Sequence, residues 1–247
     1  MAISRSSYWA KTRSARHSLT FALPLLLAYE GLAFLLSGDA IAGVRNGADV
    51  LLKSVFAALG GRHGLAVFGL ILIGAGLVLV LRDRKKSGPI EGRLFIGMML
   101  ESFLYAAVLG GVASTLTSLL LGRLSMAFGE GGMQQFGLPT QVMISLGAGI
   151  YEELVFRVLL VSGTAWVART VFGWKPTTSG VVATLVGALV FSAFHYVGPY
   201  GDPLRLDSFT FRAIAGLLFS GLYLARGFGI AAWSHALYDV ILSIVKP

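Results

Sequence analysis

Seven long apolar runs dominate the sequence and restrict what it can form. Each is at least 18 residues long, close to the roughly 20 residues that a helix needs to cross a bilayer. Only 13% of the residues are charged, against about 25% in soluble domains. The sequence therefore predicts an all-α, polytopic transmembrane bundle. The predicted spans are 19–36, 64–81, 94–121, 140–167, 178–197, 208–225 and 229–246.

The first apolar run follows a basic segment, as in secretory signal peptides. Four basic residues precede it, and Ala-Ile-Ala at 40–42 is similar to a signal-peptidase site, so a cleaved signal within 1–42 is one interpretation. The run is nevertheless longer than the about 7–15 apolar residues of a signal sequence. We therefore interpret it as the first transmembrane helix.

Residues 48–60, between the first two spans, show helical spacing of apolar and polar side chains. The apolar face contains Leu51, Leu52, Val55, Phe56 and Leu59, and the polar face contains Asp49, Lys53 and Ser54. This pattern predicts a short amphipathic helix at the membrane interface. A re-entrant segment is the alternative.

Charge and composition limit the compartment and the partners. The net charge is +8, and the basic residues gather at the ends of the apolar runs, most densely at 82–86. Because Lys and Arg favour cytoplasmic loops, we expect a cytoplasmic N-terminus, the plasma (inner) membrane, the lipid bilayer as a partner and no nucleic acid. There is no cysteine, which excludes disulfides and thiolate catalysis. We expect one membrane domain over 1–247, with a motif-bearing core at 140–246.

Charged residues inside the predicted spans indicate a functional site. Each costs roughly 2.5–3.5 kcal/mol on insertion scales, and the fourth span carries three, Glu152, Glu153 and Arg157. Glu153 and Arg157 are four residues apart and can pair on one helix face, whereas Glu152 has no such partner. Glu152 is then available for chemistry. The alternative is that all three charges brace helix packing.

Two later spans carry polar residues, each of which taken alone is weaker evidence for a functional site. His195 lies near a helix end, where a lone histidine is more often interfacial or hydrogen-bonded than catalytic. His235 and Asp239 are four residues apart and can share a polar cavity or join helices. Three polar sites on three spans together indicate function. Glu30 and Glu101 also lie in spans, and we assign neither a role.

At these positions the sequence resembles the CPBP (Abi) family, which includes the type II CAAX prenyl endopeptidases. The motifs match in the family's order at Glu152, Glu153 and Arg157, then Phe191 and His195, then His235 and Asp239. Asp239 stands where the prenyl endopeptidases carry asparagine, although aspartate falls within the wider family pattern. The family also includes proteins linked to bacteriocin immunity.

The resemblance implies an intramembrane endopeptidase that acts on a membrane protein or a lipid-anchored peptide. Glu152 would activate a water with help from His195, while His235 and Asp239 position the water or stabilise the oxyanion. Supporting roles fall to Glu153, Arg157 and Phe191. The alternative is a non-catalytic binding, transport, immunity or scaffold protein. The patterns of other intramembrane proteases (His-Glu-x-x-His, Gly-x-Ser-Gly and Gly-x-Gly-Asp) are absent.

The need for a metal stays open at this point. Two histidines and a glutamate form a known catalytic zinc set, so His195, His235 and Glu152 would be the ligands if zinc is bound. A metal-free glutamate peptidase is the favoured interpretation, with no cofactor.

A catalytic role requires these side chains to meet, although a simple alternating topology places His195 and His235 off-centre in opposite directions. We predict tilted or offset fifth and seventh helices, and polar atoms of Glu152, His195 and His235 within about 8 Å of one another. We also predict that Glu153 and Arg157 pair on the side away from the cavity.

Overall fold

The computed structural model describes residues 7–37, 43–122 and 135–245, and all regular structure in these ranges is helical. The predicted all-α bundle is confirmed. The helices are α1 (Tyr8–Arg13), α2 (Ala15–Ser37), α3 (Gly47–Ser87), α4 (Leu94–Leu121), α5 (Leu138–Gly147), a π-helix (Ala148–Val161), α6 (Ser162–Thr170), α7 (Pro176–Phe194), α8 (Leu206–Arg226) and α9 (Phe228–Val245).

Six helices in the described ranges are long and apolar enough to cross a membrane: α2, the later part of α3, α4, α7, α8 and α9. They agree with six of the predicted spans to within a few residues. The predicted span 140–167 is corrected to a composite of α5, the π-helix and α6, because the π-helix divides it. The first apolar run forms α2, and the cleavage-like motif at 40–42 lies outside the described residues.

The helix predicted at 48–60 forms the first part of α3, and its charged side chains face the interior of the bundle. Gly60 and Gly61 break the helical geometry. Gly61 has a φ of 55°, which residues other than glycine rarely adopt. An interfacial helix would turn its charges to water. Instead Asp49 is fully buried and Lys53 is 7% exposed, while Leu59 is 81% exposed. The two charged side chains therefore face the protein interior.

Helix α9 is the centre of the bundle, since it packs against α2, α4, α5, α8 and the π-helix. Gly149 makes the contact with the π-helix possible, because a side chain there would meet the backbone oxygen of Ala232 and the methyl group of Ala236. Close approach at a small residue is the usual way that membrane helices pack. It brings His235 on α9 next to the carboxylates that follow Gly149.

Candidate active site

The π-helix holds the first motif in the interior of the protein. Glu152 is 7% exposed, Glu153 is fully buried and Arg157 is 1% exposed. A π-helix is rare and occurs mostly as single turns, frequently at functional sites. Here it extends over all three charged residues.

The two histidines approach Glu152 from different helices. His195 directly follows α7 as its C-cap, and its Nε2 lies 3.9 Å from Glu152 Oε2. His235 projects from α9, and its Nε2 also lies 3.9 Å from Glu152 Oε2. The predicted approach to within about 8 Å is therefore confirmed for each histidine with the glutamate. The tilt of the helices stays a prediction.

His235 is fixed on several sides. Its Nδ1 lies 2.8 Å from Glu153 Oε1, and its Nε2 lies 3.5 Å from Asp239 Oδ2. The ring stacks on Phe219 with a centroid distance of 4.6 Å. Carboxylates at both ring nitrogens and an aromatic face leave His235 one orientation, with Nε2 directed towards Glu152.

Glu153 and Arg157 form the predicted pair, with 3.2 Å between Glu153 Oε2 and Arg157 Nε. The prediction that this pair lies away from the site is wrong for Glu153, because its other oxygen contacts His235. The Arg157 guanidinium lies 4.4 Å from the Phe191 ring centroid and 5.8 Å from that of Phe219. The same Phe191 ring packs edge-on against His195, so it contacts both the guanidinium and that histidine.

Sequence reasoning missed Asn46, which donates from Nδ2 to Glu152 Oε1 over 2.8 Å. Asn46 is the N-cap of α3, and asparagine is among the residues preferred at that position. The capping preference predicts a helix start there. It gives no sign that the other end of the same amide reaches a residue 106 positions away.

Glu30 belongs to a charged network beside the site. Its carboxylate accepts hydrogen bonds from Lys53 Nζ, Arg45 Nη1 and the Tyr151 hydroxyl. Lys53 and Arg45 also pair with Asp49. Two cations and two anions therefore neutralise one another where a single charge would be costly.

A cavity of about 820 Å³ opens onto the site. Its lining includes Glu152, His195, His235 and Asp239. The remaining wall is largely aromatic and aliphatic, and includes Val50, Leu51, Phe136, Ile144, Phe194, Phe211, Tyr238 and Leu242. An apolar chamber with a few convergent polar groups is the usual form of a binding site.

Two histidines and a glutamate are suitable ligand types for zinc, but their spacing in the structure does not suit it. Among the described residues, no group of three or more His, Cys, Asp or Glu side chains is placed to hold a metal ion. Glu152 Oε2 lies 3.9 Å from each histidine Nε2. Ligand atoms of tetrahedral zinc, at bond lengths of roughly 2.0–2.1 Å, are about 3.3 Å apart. The side chains would therefore have to move to hold zinc.

The motif-bearing part of the chain has a counterpart among known protein families. A model described as type II CAAX prenyl endopeptidase Rce1-like matches residues 134–241. This match supports the resemblance to the CPBP family over that segment. The matched segment contains all three motifs. Asn46 lies outside it, and of the Glu30 network only Tyr151 lies within it. The match supports an intramembrane protease of the CAAX type in general. No curated protein and no solved structure matches the chain.

Proposed function

We propose that the chain hydrolyses a peptide bond of a membrane-associated substrate with a water activated by Glu152. The supporting observation is the convergence of both histidines on Glu152 Oε2 at 3.9 Å. That separation is too long for a direct hydrogen bond, and it suits a bridging water.

The hydrogen bond at the far side of His195 defines how the water would be held. Nδ1 lies 2.9 Å from the Phe191 carbonyl oxygen, which can only accept, so Nδ1 carries the proton. The neutral ring then presents the lone pair of Nε2 towards Glu152. A water between them donates one hydrogen to Glu152 Oε2 and the other to His195, which leaves its oxygen lone pairs free to attack.

The reaction then follows as general base catalysis. The water oxygen forms a bond to the substrate carbonyl carbon while Glu152 takes the proton. The protonated form of His235 stabilises the oxyanion. In this form Nδ1–H donates to Glu153, and Nε2–H points into the site. Glu152 passes the proton to the amide nitrogen, the C–N bond breaks, and the products are a carboxylic acid and an amine. Asp239 holds the protonated His235.

The substrate that we propose is a membrane protein or a lipid-anchored peptide. Glu152 and the histidines face a largely apolar cavity, which would be filled by apolar side chains or a lipid anchor. The matched family is named for prenyl endopeptidases, so a prenylated peptide is the first substrate to test. We further propose the plasma (inner) membrane with the N-terminus in the cytoplasm, because this places the basic loop 82–93 inside.

The test uses the full chain in proteoliposomes with a quenched fluorogenic peptide that carries a prenylated cysteine, beside the same peptide without the prenyl group. We expect cleavage by the wild type, and cleavage about 10²- to 10⁴-fold slower by Glu152→Gln. Cleavage of both peptides indicates that the anchor is not required. Equal cleavage by the wild type and Glu152→Gln would exclude Glu152 as the base. Binding of the peptide without cleavage would favour a non-catalytic binding protein.

A further inference from the structure

The Asn46 side chain connects the start of α3 to the proposed base. It is 3% exposed and lies far in sequence from the family motifs, outside the matched residues 134–241. Its Nδ2 donates to Glu152 Oε1 over 2.8 Å. No other hydrogen bond to the Glu152 carboxylate is found among the described residues, and its Oε2 accepts none there. The two oxygens of Glu152 are therefore in different environments.

The orientation of the Asn46 amide is determined by its two ends together. Oδ1 accepts from the backbone N–H of Ala48 over 2.9 Å and caps α3, while Nδ2 faces Glu152. Exchanging the two ends would place Oδ1 against a carboxylate oxygen and the NH₂ group against an N–H group. Both contacts would then be repulsive. The capping bond thus ensures that a donor, and not an acceptor, is presented to Glu152.

Packing holds Asn46 in this place. Its backbone N–H donates to the Tyr29 hydroxyl over 3.3 Å, and the same hydroxyl donates to Asp49 Oδ2 over 2.7 Å. Gly147 lies against both residues, and a side chain there would meet the Tyr29 ring and the Asn46 Cβ atom. The charged network therefore supports Asn46, which in turn contacts the base.

We infer that Asn46 is a positioning residue for Glu152: it binds Oε1 and leaves Oε2 as the oxygen that faces His195 and His235. This inference rests on the proposed function, in which Glu152 activates the water. Proton abstraction requires the base and its water to be within hydrogen-bond reach. A carboxylate free to rotate would direct Oε2 away from the histidines for part of the time. Asn46 restricts that rotation.

Two substitutions separate positioning from helix capping. Serine and aspartate are both good N-cap residues, so Asn46→Ser and Asn46→Asp preserve the start of α3. Neither presents a donor to Glu152 as asparagine does, because serine is too short and ionised aspartate only accepts. Ser102→Ala is the matched control, since it removes a buried hydroxyl that bonds within its own helix, to Met98 O.

For peptide cleavage in proteoliposomes, we expect Asn46→Ser to lower kcat about 10- to 100-fold, as loss of a group that orients a catalytic side chain does. KM and the melting temperature should stay near the wild-type values. Asn46→Asp sets a second carboxylate against Glu152, so the acidic limb of its pH–activity profile should move to higher pH by about one unit or more. Ser102→Ala should keep the wild-type kcat and profile.

A second measurement does not depend on turnover. The infrared band of the Glu152 carboxylate, identified by its loss in Glu152→Gln, should change position in Asn46→Ser and not in Ser102→Ala. An unchanged band together with a lower melting temperature would overturn the inference and leave Asn46 only a helix cap. If no peptide is cleaved by the wild type but the band does change, the positioning contact stands and the proposed function fails.

Discussion

Two buried ionic clusters on different helices differ in how completely their hydrogen bonds are formed. The Arg226 cluster consists of Tyr8, Trp9, Thr12, Glu101 and Arg226. The motif cluster consists of Glu152, Glu153, Arg157, His195, His235 and Asp239. Each contains an arginine that is 1% exposed and a carboxylate that pairs with it.

In the Arg226 cluster every guanidinium nitrogen donates. Nε bonds Glu101, Nη1 bonds the Trp9 carbonyl oxygen at 3.3 Å, and Nη2 bonds Thr12 Oγ1 and Glu101 Oε2 at 2.9 and 2.7 Å. By contrast, none of the three Arg157 nitrogens has a hydrogen-bond partner among the described residues, and neither does Glu152 Oε2. A buried polar group without a partner costs free energy. The difference suggests that the Arg226 cluster serves stability and that the motif cluster is arranged for chemistry.

The largest expected effect separates the two clusters by activity. Glu152→Gln should lower peptide cleavage about 10²- to 10⁴-fold, because the general base is lost, and should leave the melting temperature nearly unchanged. Its counterpart Glu101→Gln should keep cleavage per folded molecule and lower the melting temperature. Cleavage and thermal unfolding of both purified variants test this. Similar stability losses without a difference in cleavage would make the motif cluster structural too.

Removing either arginine should destabilise the fold. Arg226→Ala and Arg157→Ala each remove the cation from an ion pair in the protein interior, at a cost of about 3–5 kcal/mol in the free energy of unfolding. Glu153→Gln should also destabilise, because it strands Arg157. We expect the larger loss for Arg226, which makes more hydrogen bonds, as measured by denaturant unfolding in detergent. The reverse order would contradict the contrast in hydrogen bonding.

Lysine substitutions test whether the hydrogen bonds of each arginine, and not only its charge, stabilise the fold. Arg226→Lys removes planar donors that all have partners, so it should cost about 1.5–3 kcal/mol. Arg157→Lys keeps the charge near Glu153 and loses no well-formed hydrogen bond, although contact with the Phe191 ring is weakened. We expect it to cost about 1 kcal/mol. Unfolding of the two variants side by side measures the difference, and equal costs would show that the donors of Arg226 contribute little.

A smaller effect concerns Tyr8, whose hydroxyl donates to Glu101 Oε2 over 3.0 Å. Burial and this hydrogen bond raise the pKa of Tyr8 from 10.0 to about 12. A raised pKa means that the stabilisation is complete below pH 10 and is lost as the pH rises through about 12. The melting temperature of the wild type should therefore exceed that of Tyr8→Phe at pH 8, and this advantage should vanish over that window. A constant difference up to pH 12 would exclude the role of the hydroxyl.

Chelators should have no effect on either cluster. With Glu152 as a metal-free base, EDTA or phenanthroline leaves cleavage and the melting temperature unchanged, and elemental analysis finds less than one zinc per chain. Loss of cleavage that zinc restores would instead make His195, His235 and Glu152 the ligands.

The sequence predicted the elements whose signal is local. Apolar length located the spans, and α4 matches its predicted bounds of 94–121. The four-residue spacing correctly paired Glu153 with Arg157. The π-helix was missed because its residues are as apolar as those of an α-helical span. Amino-acid composition does not show which hydrogen-bond register a helix adopts.

The contacts that join distant segments could not be predicted. Asp49 and Lys53 resemble a solvated face in sequence. Their burial is favourable because Asp49 pairs with Arg45 and Lys53, and Lys53 also pairs with Glu30 on α2. The same holds for Asn46 with Glu152 and for Arg226 with Glu101, which no local spacing relates. Even the correct prediction that the histidines approach Glu152 came from the chemistry that the proposed function requires, and not from the topology.

The ion pairs of Glu30 have a consequence for the synthesis of this protein. A ribosome delivers α2 to the membrane before the residues that neutralise its glutamate, since Arg45 and Lys53 follow 15 and 23 positions later. Until they arrive, the first span carries an acidic side chain that opposes its partition into lipid. Once Arg45 and Lys53 have been made, their charges offset those of Glu30 and Asp49, so that α2 and the start of α3 together carry no net charge at this network. The insertion of α2 therefore depends on charges in the segment made after it. Replacing Lys53 by an uncharged residue should lower the yield of inserted protein before any loss of stability is measurable.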